Sequence, residues 1–316
     1  MKFAIAVIVK NESPSLLEWV AYHRAVGVTD FIIIDNYSTD NTWQLVKALR
    51  RKGLVNGFRF KTLAGKAPQV DAYQCALKKF GARYDAIAFI DADEYLFPAE
   101  SQEPVPVTVE RLFQASETGG AEVGAICLNW ACFGSNGQVF KASGMVLERF
   151  VTRAPALSLL SLHYKSIVRP EKVVRFNNPH HAVLAEGEHR CASGAPLEVN
   201  KENSFGLSET TCWDNLRVNH YVVKSLEEFL VRKSQLGSAA RYGKQKREKF
   251  FRGHDRNDEE DRSILPLVPK VQAELERLES VVAEYQQPGP LERMGSALKS
   301  QYERACYLLR KYRLYH

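Results

Sequence analysis

Three carboxylates, Asp91, Asp93 and Glu94, fall within four residues directly after the apolar run 86–90. The run reads as a buried strand. Alternate side chains of an extended chain share a face, so Asp91 and Asp93 can point the same way. Two neighbouring acids repel unless something positive lies between them. Hard divalent cations such as Mg2+ or Mn2+ suit carboxylate oxygens and keep positions open for phosphate oxygens. The chemistry implied is a metal–phosphate site. A solvated strand end followed by a turn is the alternative, since Asp is common there.

The elements that must position these acids precede them. An apolar strand spans 3–9, and Asn11-Glu12-Ser13-Pro14 reads as a helix entry, with Ser13 as N-cap and Pro14 at the first helical position. That helix stops at Gly27. A second strand, 31–34, ends in the polar turn Asp35-Asn36-Tyr37-Ser38-Thr39-Asp40-Asn41. A helix over 42–52, a strand over 55–60, a loop over 64–68 and a helix over 69–80 lead to the strand 86–90. Alternating βα units with continuous apolar strands predict an α/β fold with a parallel sheet covered on both faces. Right-handed crossovers put every strand's C-terminal end on one edge, where open sheets bind ligands. Lys10-Asn11-Glu12, Asp35-Asn36-Tyr37-Ser38 and Asp91-Ala92-Asp93 converge there.

The second half reads as loop-rich α+β. Expected are a helix over 107–116, a strand over 123–130, a tight turn at 133–137, a helix across 143–153 and a strand over 165–170. Little regular structure is expected from there to 218–221, and a helix follows over 226–236. The charged stretch 243–262 reads as solvated helix or loop. Residues 269–285 form an amphipathic helix with Val271, Leu275, Leu278 and Val282 on one side. Beyond Pro288-Gly289-Pro290, residues 291–315 carry six Lys and Arg side chains among Leu and Tyr. Such a basic amphipathic helix either lies on anionic lipid or docks on the protein's own surface.

The chain has 316 residues and a net charge of +6, from 43 Lys plus Arg against 37 Asp plus Glu. That mild excess suits an anionic small molecule or a membrane surface. Nothing resembles a nucleic-acid-binding motif, so no nucleic-acid partner is expected. Six cysteines without Cys-x-x-Cys spacing indicate neither a zinc site nor a disulfide framework. Free thiols in a reducing cytoplasm fit them. The apolar run 3–9 is too short to span a bilayer.

Lys10-Asn11-Glu12, Glu18-Trp19, His23, Gly27, Ile34-Asp35-Asn36, Ser38-Thr39-Asp40-Asn41-Thr42, Gln69, Cys75 and Asp91-Ala92-Asp93-Glu94 stand in an order that resembles glycosyltransferase family 92 and its bacterial relatives. The likeness continues through Phe133-Gly134-Ser135, Glu148-Arg149-Phe150, Lys165-Ser166-Ile167-Val168-Arg169-Pro170 and His220-Tyr221-Val222-Val223-Lys224-Ser225. It covers roughly residues 1–237. The resemblance implies a GT-A-type fold: a Rossmann-like, mostly parallel sheet, a mixed α+β acceptor half and C-terminal helices. The corresponding divisions are 1–100 for the nucleotide-sugar half, 101–237 for the acceptor half and 238–316 for a helical extension.

By the same likeness, Mn2+ or Mg2+ is held by Asp91, Asp93 and His220, with His181 as runner-up and a buried core role as the alternative for His220. Lys10, Asn11, Glu12, Asp35, Asn36, Ser38, Gln69, Asp91 and Lys224 serve the nucleotide, with Lys224 on the diphosphate. The implied activity is hexosyl transfer from a nucleotide sugar, with UDP the expected nucleotide, to a glycan or lipid-linked acceptor, as in polysaccharide biosynthesis. Metal and Lys stabilise charge on the departing diphosphate, and a carboxylate takes the acceptor proton. Family analogy makes the transfer inverting. The Glu-Asp pair of the broader family 2 pattern is missing, so the base stays open among Asp214, Glu148 and Glu186. Two other readings compete: a haloacid-dehalogenase-like phosphatase with Asp91 as nucleophile, and a carbohydrate-binding scaffold. A cytoplasmic protein touching the inner membrane face through its basic C-terminal helix completes the expectation.

Overall fold

The computed structural model describes residues 1–63, 65–99, 103–117, 122–199, 206–234 and 246–286. Strands β1 (Phe3–Val9), β2 (Asp30–Asp35), β3 (Asn56–Arg59) and β4 (Ala86–Phe89) alternate with helices α1 (Leu16–Ala25), α2 (Thr42–Arg51) and α3 (Pro68–Phe80). Next come β5 (Glu94–Pro98), α4 (Val105–Glu117), β6 (Val123–Cys132), the one-turn helix α5 (Val146–Arg149), β7 (Thr152–Arg153) and β8 (Tyr164–Val168). Short strands β9 (Val173–Phe176), β10 (Ala182–Leu184) and β11 (Glu188–Cys191) precede β12 (Leu216–His220). The chain then turns through α6 (Leu226–Glu228) and a π-helical turn, Phe229–Lys233. Helix α7 (Glu248–His254), β13 (Glu259–Glu260) and α8 (Val268–Gln286) close the described part.

The main sheet runs β3-β2-β1-β4-β8-β6-β12-β5, with β11 also on β6. The first four strands are mutually parallel, as the βα alternation requires. β8 enters antiparallel to both β4 and β6. β12 runs parallel to β6 and antiparallel to β5. This mostly parallel α/β sheet with an antiparallel insertion is the GT-A-type architecture expected. It passes unbroken across residue 100, because β5 pairs with β12.

Two separate cores explain the continuous apolar runs. Ile5, Val7, Ile33, Ala86 and Ala88 face one core with α1 and α2. Ala4, Ala6, Ile32, Ile34, Ile87 and Phe89 face the other with α3. Each strand alternates between them, so every position is apolar. Helix α8 lies on the first core through Val271, Leu278 and Val282, packing chiefly against α1. Gly27 ends α1 at φ +95, and a Cβ there would stand 2.7 Å from Pro104 Cβ.

Several elements depart from expectation. Helix α1 begins at Leu16, not Pro14, and Ser13 bonds Asp40 through its hydroxyl at 2.8 Å instead of capping a helix. The helix expected over 143–153 is confined to Val146–Arg149. Strands β9, β10 and β11 occupy a stretch that reads as irregular, because all three are short and β9 and β11 carry charged residues. β5 follows the acidic turn immediately, where only a turn is legible. The basic segment 291–315, and with it the membrane contact, lies outside the described residues. Among the described residues no helix is long and apolar enough to cross a membrane.

Candidate functional site

The acidic turn joins β4 to β5. Asp91 N–H donates to Glu94 Oε2 at 2.7 Å, and Glu94 N–H returns to the Asp91 carbonyl at 3.1 Å. Glu94 is fully buried, as is Lys165 at 1% exposure. The antiparallel register of β8, Ile87 with Val168 and Ala88 with Ile167, carries Lys165 to the same edge. Its Nζ stands 3.0 Å from Asp91 Oδ1 and 3.5 Å from Glu94 Oε2. From α3, the Gln69 amide and the Tyr73 hydroxyl also donate to Asp91 Oδ1, the latter at 3.3 Å. Asp91 is thus fixed by three elements. Burial is the largest single influence and opposes its ionisation, but Lys165 leads the groups that together hold the carboxyl below the usual range. Burial pushes Glu94 up to about 8 in spite of Lys165.

Asp93 turns to different partners. Its Oδ1 lies 3.5 Å from His220 Nε2, and its Oδ2 makes an ion pair with Lys233 from the π-helical turn. Burial is the largest influence and again opposes ionisation, but Lys233 leads the groups that hold the carboxyl well below the usual range. The register of β12 on β5 pairs His220 with Glu94, which brings the imidazole to the acidic turn. Burial keeps that imidazole neutral by lowering its pKa. The ring packs on Trp130 at 4.2 Å, and Trp130 stacks in turn on His163 at 4.7 Å.

These residues suit a divalent cation in kind: an ionised carboxylate oxygen beside the nitrogen of a neutral imidazole. His220 Nδ1 is buried with no hydrogen-bond partner among the described residues, a cost that a packing role leaves unexplained. No three His, Cys, Asp or Glu side chains among the described residues gather into a ready cage.

The rest of the edge is a web of side-chain to backbone hydrogen bonds. Asn11 N–H donates to Ser38 Oγ at 2.9 Å and Glu12 N–H to Thr42 Oγ1 at 2.8 Å, while Thr39 N–H donates to Asn11 Oδ1 at 2.8 Å. Asn11 and Tyr37 hold φ of 55 and 51, left-handed values that Asn tolerates and Tyr seldom adopts. Asp35 accepts from Ser38 N–H at 3.2 Å and pairs with Arg59 Nε at 3.1 Å. The Arg59 guanidinium lies 5.1 Å from the ring of Tyr37, which is 48% exposed. Asn36 accepts from Thr62 at 2.8 Å. Lys10 is exposed at the end of β1. Lys224 is buried at φ 57, its pKa lowered by burial against the attraction of Glu12.

The three base candidates do not gather at the acidic turn. Asp214 is exposed before β12, six residues ahead of His220, or about 20 Å along an extended chain. Glu186 pairs with Lys172 at 2.9 Å, beyond the C-terminal end of antiparallel β8 and so at the opposite sheet edge. Glu148 accepts from Met145 N–H at 3.0 Å and lines a cavity of about 340 Å3 with Glu18. His181 bonds the Tyr164 hydroxyl at 2.8 Å and stacks on His189. Of the two adjacent histidines it is His180 that meets Trp130, at 5.2 Å.

Glu18 and Lys165 stand in the family-like motifs with no role assigned by them, and no motif marks Lys233. Glu18 on α1 accepts from Val146 N–H at 2.7 Å, and burial pushes its pKa up to about 7. A lone Lys inside the strand Tyr164–Val168 is the one signal that pointed to Lys165. Cys191 and Cys212, far apart in sequence, touch through their thiols.

The family model of glycosyltransferase family 92 matches residues 4–194. A family 92 protein of Ricinus communis is 26% identical over 188 residues, covering 59% of this chain and 32% of that protein. One from Arabidopsis thaliana is 26% identical over 224 residues, covering 70% of this chain and 37% of that protein. The chain therefore spans about a third of the length of these curated relatives. Among solved structures, S. aureus TarS in complex with UDP aligns at a TM-score of 0.35 and 19% identity, over 54% of this chain and 47% of that one. Glucosyl-3-phosphoglycerate synthase of Mycobacterium tuberculosis, in complex with Mn2+, UDP and glucosyl-3-phosphoglycerate, aligns at 0.30 and 18% identity, over 54% and 58%.

Proposed function

We propose, because this chain belongs to glycosyltransferase family 92, that it transfers a sugar from a nucleotide sugar to an acceptor hydroxyl at the C-terminal edge of its sheet. UDP is the proposed nucleotide and a glycan or lipid-linked glycan the proposed acceptor. The observation that carries the reading is the pairing of Asp93 with neutral His220 beside a rigidly held Asp91. Asp93 and His220 would hold Mn2+ or Mg2+, with Asp91 behind them. The cation supplies charge stabilisation for the departing diphosphate. Asp91, immobilised by Lys165, Gln69 and Tyr73, would orient the ribose side of the donor. Tyr37, exposed and backed by Arg59, offers an aromatic face for the base, and Asp35, Asn36 and Ser38 offer polar groups around it.

In the reaction the acceptor oxygen bonds to the anomeric carbon on the side opposite the diphosphate. The bond from that carbon to the phosphate oxygen breaks with its electron pair, and the hydroxyl proton passes to a base. Single displacement inverts the centre. Neither Asp214 nor Glu186 is positioned for that proton, since each stands away from the acidic turn. Lys224, buried near Glu12, would meet the leaving phosphates as a fixed positive charge.

The test is calorimetric titration of the full chain with UDP, with and without Mn2+. Wild type binds UDP more tightly with the cation. Asp93→Ala keeps its fold by circular dichroism and loses the cation's effect by about tenfold or more. UDP affinity independent of Mn2+ in both proteins would refute the cation reading.

A further inference from the structure

We infer that Lys233 is a place-holder at Asp93: with no donor bound its ammonium sits where the cation enters, and on donor binding it moves to the diphosphate, where Lys246 joins it. The inference rests on the cation reading above and names the residues that make room for the cation.

Four observations support it. Lys233 is ion-paired with Asp93 Oδ2, while Asp93 Oδ1 faces His220, so the carboxylate presents one oxygen to a nitrogen ligand and the other to an ammonium. That ammonium satisfies the charge of a half-buried carboxylate, which would otherwise lack a cation. Unlike Lys165, locked at 1% exposure between Asp91 and Glu94, Lys233 keeps 21% exposure and a flexible stem, so it is able to leave. It ends the π-helical turn, a rare geometry that clusters at functional sites. The turn is anchored by buried Phe229, which contacts Phe250 at 6.1 Å and Phe251 at 5.2 Å.

Lys246 lies over the Phe250 ring at 5.0 Å, and no carboxylate pairs with it among the described residues. Burial pushes its pKa down to about 8, and the field of Lys233 adds to that push. Lys233 therefore has Asp93 as its acid, and Lys246 has none among the described residues. Entry of a dication at Asp93 would repel Lys233 and leave it, like Lys246, without an acid. The anion then present in the site is the diphosphate, whose charge grows as the sugar departs, so two unpaired ammoniums favour the later, more charged state.

The experiment is calorimetric titration of wild type, Lys233→Met, Lys246→Met and Asp93→Ala, first with Mn2+ alone and then with UDP at saturating Mn2+. Methionine keeps the apolar stem, and circular dichroism checks folding. Removing a competitor and removing a ligand change affinity in opposite directions. Lys233→Met is expected to bind Mn2+ alone about tenfold more tightly and UDP about tenfold more weakly. Lys246→Met is expected to weaken UDP without changing Mn2+. Mn2+ binding that appears only in Lys233→Met would support the place-holder. If wild type binds Mn2+ through Asp93 and Lys233→Met leaves that affinity unchanged or lower, the inference falls and the cation reading stands. If neither wild type nor Lys233→Met binds Mn2+, both fall together.

Discussion

Glu18 offers a quantitative test of how the site's surroundings are built. Its carboxylate lies on α1 and accepts from the backbone N–H groups of Val146 and Leu147 at 2.7 and 3.4 Å. Burial is the largest influence and raises its pKa from 4.5 to about 7, against Lys224, the two backbone donors and Arg149, which all favour the charge. A pKa raised by folding contributes stability that is fully present below 4.5 and is lost as pH climbs through 7. At about 1.4 kcal/mol per pH unit the ceiling is about 3 kcal/mol. Partial contact with solvent brings the working figure to about 2 kcal/mol. Glu18→Gln keeps a side-chain oxygen for Val146 N–H and removes the charge. At pH 5 the variant and wild type should therefore unfold at nearly the same urea concentration. At pH 8 the variant should be more stable by about 2 kcal/mol, a rise of roughly 3 °C in melting temperature. Glu94 titrates near the same range, but it is present in both proteins and cancels in the difference. A variant less stable than wild type at pH 8, or a gap that is the same at both pH values, would refute the burial argument.

Lys165→Met should be among the most damaging single changes. It leaves Asp91 and fully buried Glu94 without their shared cation, at an expected cost of about 3–5 kcal/mol in urea unfolding, and UDP affinity should fall with it. Leu278→Ala, in the fully buried contact of α8 with the first core, should cost about 3 kcal/mol and leave UDP affinity unchanged, as read by parallel denaturation and calorimetry. A Cβ on Gly134 would lie 2.4 Å from both the Arg256 carbonyl and Asn257 Oδ1. Gly134→Ala should therefore destabilise by about 1–3 kcal/mol, with increased proteolytic cleavage around 255–257 as the local readout.

The first hundred residues were legible because their strands are doubly buried. Residues 3–9, 31–34 and 86–90 have no polar position to spare, so their apolar runs are continuous and the βα rhythm is plain. The acidic turn was legible for the opposite reason, since ionised side chains at the end of such a run need a partner. What sequence did not show was the strand that begins inside that turn. Glu94 is the first residue of β5 and fully buried, yet a third acid after Asp91 and Asp93 reads as more turn. Ser13-Pro14 has the composition of a cap, yet helix α1 begins two residues later, at Leu16. The Ser13 hydroxyl was already committed to Asp40, 27 residues away.

The counter-ions were hidden by topology. Asp91 and Asp93 are two residues apart in the chain, but Lys165 reaches Asp91 from β8 and Lys233 reaches Asp93 from a turn 140 residues beyond it. Nothing in a charged residue's immediate neighbours says which acid it will meet. The direction of β8 settles it: running antiparallel to β4, it brings its first residues to the edge where β4 ends. The face matters as much as the edge. A register slip of one residue would turn the Lys165 side chain to the other face of the sheet, away from the two carboxylates that now hold its charge. The same buried ammonium that makes Asp91 a fixed anion therefore also selects the register of β8. That double demand accounts for a lysine at 1% exposure in the middle of a sheet, and it ties the precision of the site to the stability of the fold.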